Sequence, residues 1–252
     1  MLRVPGSAAK GVIALSALLA FQASALAGGL GDDFDVAFGA AVTSDYIAGG
    51  ISQTGGKPAV QGYVEANYNI FYVGTWASNV DFGVEPDAEI DLYGGIRPEV
   101  DRASFDLGYA YYVYANDTSP AYGSLYALGE YEATEALTVG GDVYYAPDYS
   151  QTGYYSLWFE GKAEYALPAN FGISAALAYQ YFEEALGAPN YWTWNAGVYW
   201  TFKDALKVDL RYVGSTLSKD QCAILMSRGA CGNRVMATLS VDTAASAFFG
   251  RK

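Results

Sequence analysis

The chain contains no histidine among its 252 residues. This removes the side chain that most often moves protons near neutral pH, and with it Ser-His and Asp-His hydrolytic arrangements and imidazole metal sites. Basic residues are scarce, 14 against 27 acidic, for a formal net charge of −13 at pH 7. A phosphate backbone would meet repulsion from such a chain, so no nucleic acid is expected as a partner. After the amino terminus no stretch approaches the roughly 18 mostly apolar residues that a spanning helix requires. Proline and methionine are few, at 8 and 3, and there are only 2 cysteines.

What is present is glycine and aromatic. The chain has 29 Gly and 23 Tyr, and aromatics make up 16% of it, a mixture that suits twisted strands and amphipathic ring positions better than helices. The expected fold class is therefore all-β. The amino terminus reads as a signal peptide over 1–27: Arg3 and Lys10 flank a basic start, Gly11 to Phe21 is an apolar run, and Ala25-Leu26-Ala27 is a small-residue cleavage site. Cleavage before Gly28 leaves 28–252 as a single domain, and the loss of Arg3 and Lys10 takes its charge from −13 to −15.

Along that domain the hydrophobic period is two. Phe105, Leu107, Tyr109, Tyr111 and Val113 alternate with Ser104, Asp106, Gly108, Ala110 and Tyr112. Leu157, Phe159, Gly161, Ala163 and Tyr165 oppose Trp158, Glu160, Lys162 and Glu164, while Leu206, Val208, Leu210 and Tyr212 oppose Lys207, Asp209 and Arg211. One face is apolar and the other polar, as in half-buried strands. The pattern repeats over about twelve segments: 34–46, 59–69, 70–80, 88–98, 103–114, 121–133, 136–147, 154–167, 171–182, 190–201, 206–216 and 233–242. Tight connections near 69–70, 100–102, 133–135, 168–170 and 203–204 alternate with longer ones at 47–58, 81–87, 115–120, 148–153, 183–189 and 217–232.

Short turns at one end, longer loops at the other and an even strand number describe an antiparallel up-and-down transmembrane β-barrel of the bacterial outer membrane, with its short turns periplasmic. Strands of about 10 tilted residues cross the hydrocarbon, and only closure leaves no backbone donor facing lipid. Trp76, Trp192 and Trp200 are expected in interfacial girdles or as fillers of the membrane face.

The polar phase is where function would sit. Glu65, Asp91, Arg97, Asp106, Glu130, Glu132, Asp142, Glu160, Lys162, Glu164, Lys207, Asp209, Arg211, Arg234 and Asp242 fall mostly on it and are the expected lumen charges. A wet or networked lumen tolerates charges that a dry core does not. Lys207, Arg211 and Arg234 opposite the acidic strands over 121–145 suggest a transverse field with a weak bias toward small cations. The alternative is that these charges pair and plug the interior. A barrel of about twelve strands falls between the small barrels filled by side chains and the large open porins.

Cys222 and Cys231 lie in the last long connection, with no third ligand and no Cys-x-x-Cys spacing. In an oxidising exported setting they are expected to form a disulfide that staples an external loop. No catalytic group, metal or cofactor is expected. Glu130 and Glu132 share a strand face but read as lumen charges rather than a glycosidase pair. The glycines at 49, 50, 55 and 56 lack the Gly-Lys-Ser/Thr of a phosphate loop. Phospholipase- or omptin-like barrel chemistry needs a histidine that the chain does not have.

The first hairpin carries a family resemblance. Thr43-Ser44-Asp45-Tyr46-Ile47-Ala48-Gly49-Gly50-Ile51-Ser52-Gln53-Thr54, followed by Lys57-Pro58-Ala59-Val60-Gln61-Gly62, resembles the opening of the TorF-type family of porin-like proteins. Phe71-Tyr72-Val73-Gly74-Thr75-Trp76-Ala77-Ser78-Asn79-Val80-Asp81-Phe82 resembles its Gly-x-Trp segment. Asp45, Tyr46, Gly50, Gln53, Gly74 and Trp76 carry the match, all in the first third of the chain, while the barrel-like spacing covers nearly all of 34–249. The resemblance implies a Gram-negative outer-membrane β-barrel of loosely defined transport role. Where that family commonly has Arg before the first motif's Gly, this chain has Gly49, so no role of that arginine transfers. At the other end Phe248 and Phe249 precede Gly250-Arg251-Lys252, so the assembly signal is internal or the last strand runs past 242.

The reading that follows is a monomeric or weakly associated outer-membrane barrel in contact with lipid, lipopolysaccharide and the outer-membrane assembly machinery. It passes ions or small polar solutes through a narrow charged lumen. The alternative is a non-conducting structural or surface-interaction barrel, which a fully paired lumen and an inward-folded loop would favour. A soluble secreted binding module is third, favoured by solubility without detergent.

Overall fold

The computed structural model describes residues 34–83, 88–115, 120–203 and 205–249. The expected signal peptide lies outside them. Each alternating segment is a strand: β1 Phe34–Thr43, β2 Ala59–Tyr68, β3 Phe71–Asn79, β4 Ala88–Ile96, β5 Ala103–Tyr114, β6 Tyr122–Glu132, β7 Leu137–Ala146, β8 Ser156–Ala166, β9 Phe171–Phe182, β10 Tyr191–Phe202, β11 Leu206–Ser215 and β12 Arg234–Ala244. Every neighbour pairs antiparallel with the next. β12 returns to β1, from Ala37↔Ala244 to Thr43↔Thr238, and closes a twelve-stranded barrel.

At the short-turn end Asn69, Asp101, Ala169 and Lys203 adopt left-handed backbone with φ between 51° and 61°. That conformation lets a strand reverse within a few residues. The final strand does run past 242, to Ala244, and then turns into a short helix over Ala245–Phe249 whose Phe248 ring stacks on Phe38 at 6.2 Å. The first strand stops at Thr43 rather than 46, because Ser44 and Asp45 turn the chain toward the barrel axis.

The outer face is apolar. Val60, Val64, Val73, Leu92, Leu125, Leu177 and Leu210 are each more than half exposed, an arrangement that only lipid makes favourable. Aromatic rings flank this belt. Phe171, Trp200 and Phe202 cluster at the short-turn end, and Tyr145, Tyr155, Tyr179, Tyr181 and Trp192 at the loop end, with Tyr179 and Trp192 rings 4.9 Å apart. Such girdles mark the two membrane–water interfaces.

Trp76 is not among them. It is 8% exposed, faces the lumen and meets Tyr46 edge to face at 5.5 Å. The strand phase explains the correction: Trp76 shares its face with Tyr72 and Ser78, while Val73, Thr75 and Ala77 take the lipid side. Among the described residues no helix is long and apolar enough to cross a membrane; the strands do so.

Candidate functional site

Strand alternation turns the polar phase inward and gathers it into local networks. In the first, Arg97 forks onto Glu65, with Nη1 2.5 Å and Nη2 3.0 Å from the two carboxylate oxygens, and its Nε reaches Asp106 at 3.0 Å. Its guanidinium lies 3.7 Å over the Tyr72 ring, and the Tyr72 hydroxyl bonds both Asp106 and Tyr126. In the second, Lys162 bridges Glu130 at 2.9 Å and Asp142 at 3.1 Å, with Glu160 in the field of the same groups. In the third, Arg211 holds Asp209 at 2.8 Å and donates to Asn195 and Ser174.

Lys207 stacks 4.0 Å over Tyr199, whose hydroxyl donates to Glu164, and Tyr63 bonds Asp242. Glu132 and Glu164 stand exposed at the short-turn mouth, Glu164 as the acceptor of the Tyr199 hydroxyl. The basic side chains do not form a separate wall. Lys162 lies inside the acidic side, Asp209 is beside Arg211, and Arg234 is drawn to the external loop. Pairing across one or two strand spacings keeps these charges from being buried alone.

The external half of the lumen is aromatic. Tyr112, Tyr122, Tyr149 and Phe182 form a chain of rings with successive centroids 4.9, 5.1 and 5.2 Å apart. A cavity of about 10 Å³ remains among Tyr112, Tyr122, Tyr144, Tyr149 and Trp158, room for one water.

The first external loop, residues 44–58, closes this end. Tyr46, Ile47, Ala48, Ile51, Ser52, Gln53 and Thr54 are all buried. Asp45 is the hub: its carboxylate accepts from Ser52 Oγ at 2.6 Å, Thr54 Oγ1 at 2.9 Å and Arg234 Nη1 at 3.1 Å. Ile47–Ala48 and Ile51–Ser52 pair as a miniature hairpin around Gly49 and Gly50, both at positive φ. A Cβ on Gly50 would sit 2.3 Å from Thr193 Oγ1, so only glycine lets the loop tip press on the barrel wall.

Burial, and then the charge of Glu89, push the Tyr46 hydroxyl well above the ordinary phenol range, so it stays a donor, 3.4 Å from Glu89 Oε2. The last loop lies over the first. Its helix α1, Lys219–Leu225, begins in a Ser218/Gln221 capping box, Cys222 and Cys231 are disulfide-bonded, and Ser52 N–H donates to Ala230 C=O at 2.8 Å. Lys57 pairs with Asp81 at 2.5 Å and, with the Gly83 N–H, holds the Asp81 carboxyl below the usual range.

Sequence reasoning missed Glu89 and the lumen tyrosines. Glu89 is in phase with Asp91, which was signal enough. The tyrosines gave no such signal, because a phenol fits an interface or a polar lumen equally well. Among the described residues no group of three or more Cys, Asp or Glu side chains is placed to hold a metal ion.

A family model described as a bacterial protein of unknown function (Gcw_chp) matches residues 28–243. No curated protein matches in sequence. Among solved structures, a KdgM porin superposes with TM-score 0.53 at 10% identity, covering 82% of this chain and 97% of that one. A KdgM porin in complex with disordered oligogalacturonate gives 0.52 at 9%, covering 83% and 97%. An outer membrane channel from Pseudomonas putida F1 gives 0.48 at 8%, covering 86% and 97%. The two KdgM superpositions establish the porin-type barrel fold.

Proposed function

The chain belongs to the Gcw_chp family of bacterial proteins of unknown function, and from that premise and its closed outer-membrane barrel we propose that it is a narrow porin-like passage for ions or small polar solutes, shut at its external end in the conformation described. The observation that carries this reading is the division of one lumen into two halves. The short-turn half presents charged side chains to water at Glu132 and Glu164, while the loop half is filled by rings and covered by residues 44–58. A purely structural barrel has no need of a charged inner vestibule. The resemblance of the first hairpin to the TorF-type family supports the same assignment.

The excess of carboxylates along the lumen favours cations weakly, since most are paired. The acidic saccharide bound by one KdgM structure does not carry over to a lumen with this sign of charge. Residues 1–27 act in this account as the export signal for residues 28–252. The non-conducting reading retains one specific support: the first loop folds inward and the lumen charges are largely paired.

Purified barrel in planar bilayers under a salt gradient separates the two. Small, infrequent current steps with a mildly cation-selective reversal potential support the passage. Silence from a heat-modifiable, membrane-inserted barrel transfers the assignment to the structural reading.

A further inference from the structure

Five inward residues stand side by side on consecutive strands. In the pairing register Tyr126 of β6 lies opposite Tyr144 of β7, Tyr144 opposite Trp158 of β8, Trp158 opposite Gln180 of β9, and Gln180 opposite Tyr191 of β10. All five are 6% exposed or less. Four strand spacings of about 4.8 Å make the row about 19 Å long. It starts at the fifth residue of β6 and ends at the first of β10, so it climbs obliquely along the lumen to the external mouth, as a row of paired residues must in a barrel of tilted strands. At its deep end the Tyr126 hydroxyl bonds that of Tyr72, which belongs to the Arg97 network. The row therefore connects the charged vestibule with the loops.

Its chemistry is amphipathic. Four members carry aromatic rings and none carries a charge, so ring faces alternate with phenol and amide edges. Two of those edges are unused. Gln180 gives its amide N–H groups to the Leu157 and Tyr181 carbonyls, but its Oε1 is buried with no partner, and so is the Tyr191 hydroxyl. A buried polar atom without a partner lacks the hydrogen bonds it would make in water, and a ligand with hydroxyl groups would restore them. The loops that shut the barrel lie on this row. Tyr149 packs against Phe182, the inward neighbour of Gln180, and the first loop's tip at Gly50 presses on Thr193, the inward neighbour of Tyr191.

We propose that Tyr126, Tyr144, Trp158, Gln180 and Tyr191 form a binding track for an uncharged saccharide, uncovered when the loops withdraw. A sugar ring offers apolar C–H faces to aromatic rings and hydroxyls at its rim, which is what a ring-lined site with a few placed oxygens takes. An acidic sugar would meet the carboxylates of Asp142 and Glu160, the next inward residues of β7 and β8 toward the short turns. An inorganic ion gains little from the rings, and a quaternary ammonium has no donor for the two unpartnered oxygens. The inference rests on the passage reading and names the class of solute that would pass.

The probes are maltotriose and cellotriose, glucose trimers of opposite linkage, titrated calorimetrically into the folded full-length barrel in detergent. Wild type is compared with Asp45→Ala, which loosens the first loop from its hub. Saturable binding of at least one trimer, tighter in Asp45→Ala, is the expected result. In that background Trp158→Ala weakens it roughly tenfold or more, and Tyr191→Phe, which removes only the hydroxyl, weakens it about threefold. Trp200→Phe, on the outer girdle, leaves it unchanged. Tyr191→Phe decides the matter should Trp158→Ala fail to fold. Binding undiminished in folded Tyr191→Phe overturns the proposal, as does tetraethylammonium binding where neither trimer does. Single-channel recordings of the same Asp45→Ala barrel separate the two readings. Conduction without trimer binding overturns the saccharide track and leaves the passage. Trimer binding without conduction supports the track and refutes the passage, and silence in both assays overturns both.

Discussion

Replacing Arg97 with Ala removes the cation from the most connected network in the lumen and leaves Glu65, whose side chain is 5% exposed, and Asp106, 19% exposed, without a cationic partner. Breaking a buried pair this way costs about 3–5 kcal/mol. The Arg97 side chain itself keeps 33% exposure, so screening by water puts the loss near the lower end, about 3 kcal/mol. Losing the contact over the Tyr72 ring at 3.7 Å adds about 0.5–1 kcal/mol.

Arg97→Lys keeps the charge but cannot fork onto Glu65, and about 1–2 kcal/mol is expected. The reference is Lys57→Ala, which breaks a pair whose lysine is 71% exposed and should cost under about 1 kcal/mol. Urea unfolding of the three variants in detergent or lipid vesicles, compared at constant m-value, reads these differences. The reasoning fails if Arg97→Ala is no more damaging than Lys57→Ala, because a lumen that solvates its charges as well as the outside does would not need the network.

Single-tryptophan variants in vesicles with bromine-labelled acyl chains test strand phase. Trp192 and Trp200 should be quenched while Trp76 and Trp158, both lumen-facing and buried, are spared; quenching of Trp76 would reverse the phase of β3. Asp81 should titrate below an ordinary aspartate by NMR and move back up in Lys57→Ala, though not fully because the Gly83 N–H remains. Since the folded pKa is depressed, the pair's stabilisation is complete above the ordinary aspartate range and is lost as pH falls through the folded value. High salt should remove most of it at any pH, and an Asp81 titration indifferent to Lys57 would contradict the assignment.

Strand positions were legible because lipid outside and polar groups inside impose a two-residue alternation that Val, Leu and Tyr on β5, β8 and β11 cannot hide. Closure of the external end was not legible. Asp45 finds Arg234, 189 residues away, and Tyr46 finds Glu89, 43 residues away; no local pattern encodes either meeting. Trp76 misled because a tryptophan between small residues is as good a girdle ring as a lumen filler, and only the phase of its own strand decides. The lumen charges were visible as a set, yet which carboxylate meets which base depends on register between neighbouring strands, which alternation alone does not determine.

The central claim is that residues 44–58 hold shut a barrel that could otherwise conduct. Asp45→Ala removes the acceptor shared by Ser52, Thr54 and Arg234 and replaces no strand residue. Single-channel recordings of this variant beside wild type, both verified as folded by heat modifiability, make the direct test. The account predicts brief, sparse openings in wild type and longer, more frequent ones in Asp45→Ala. Equal open probability in the two, or a variant that stays silent, would contradict it.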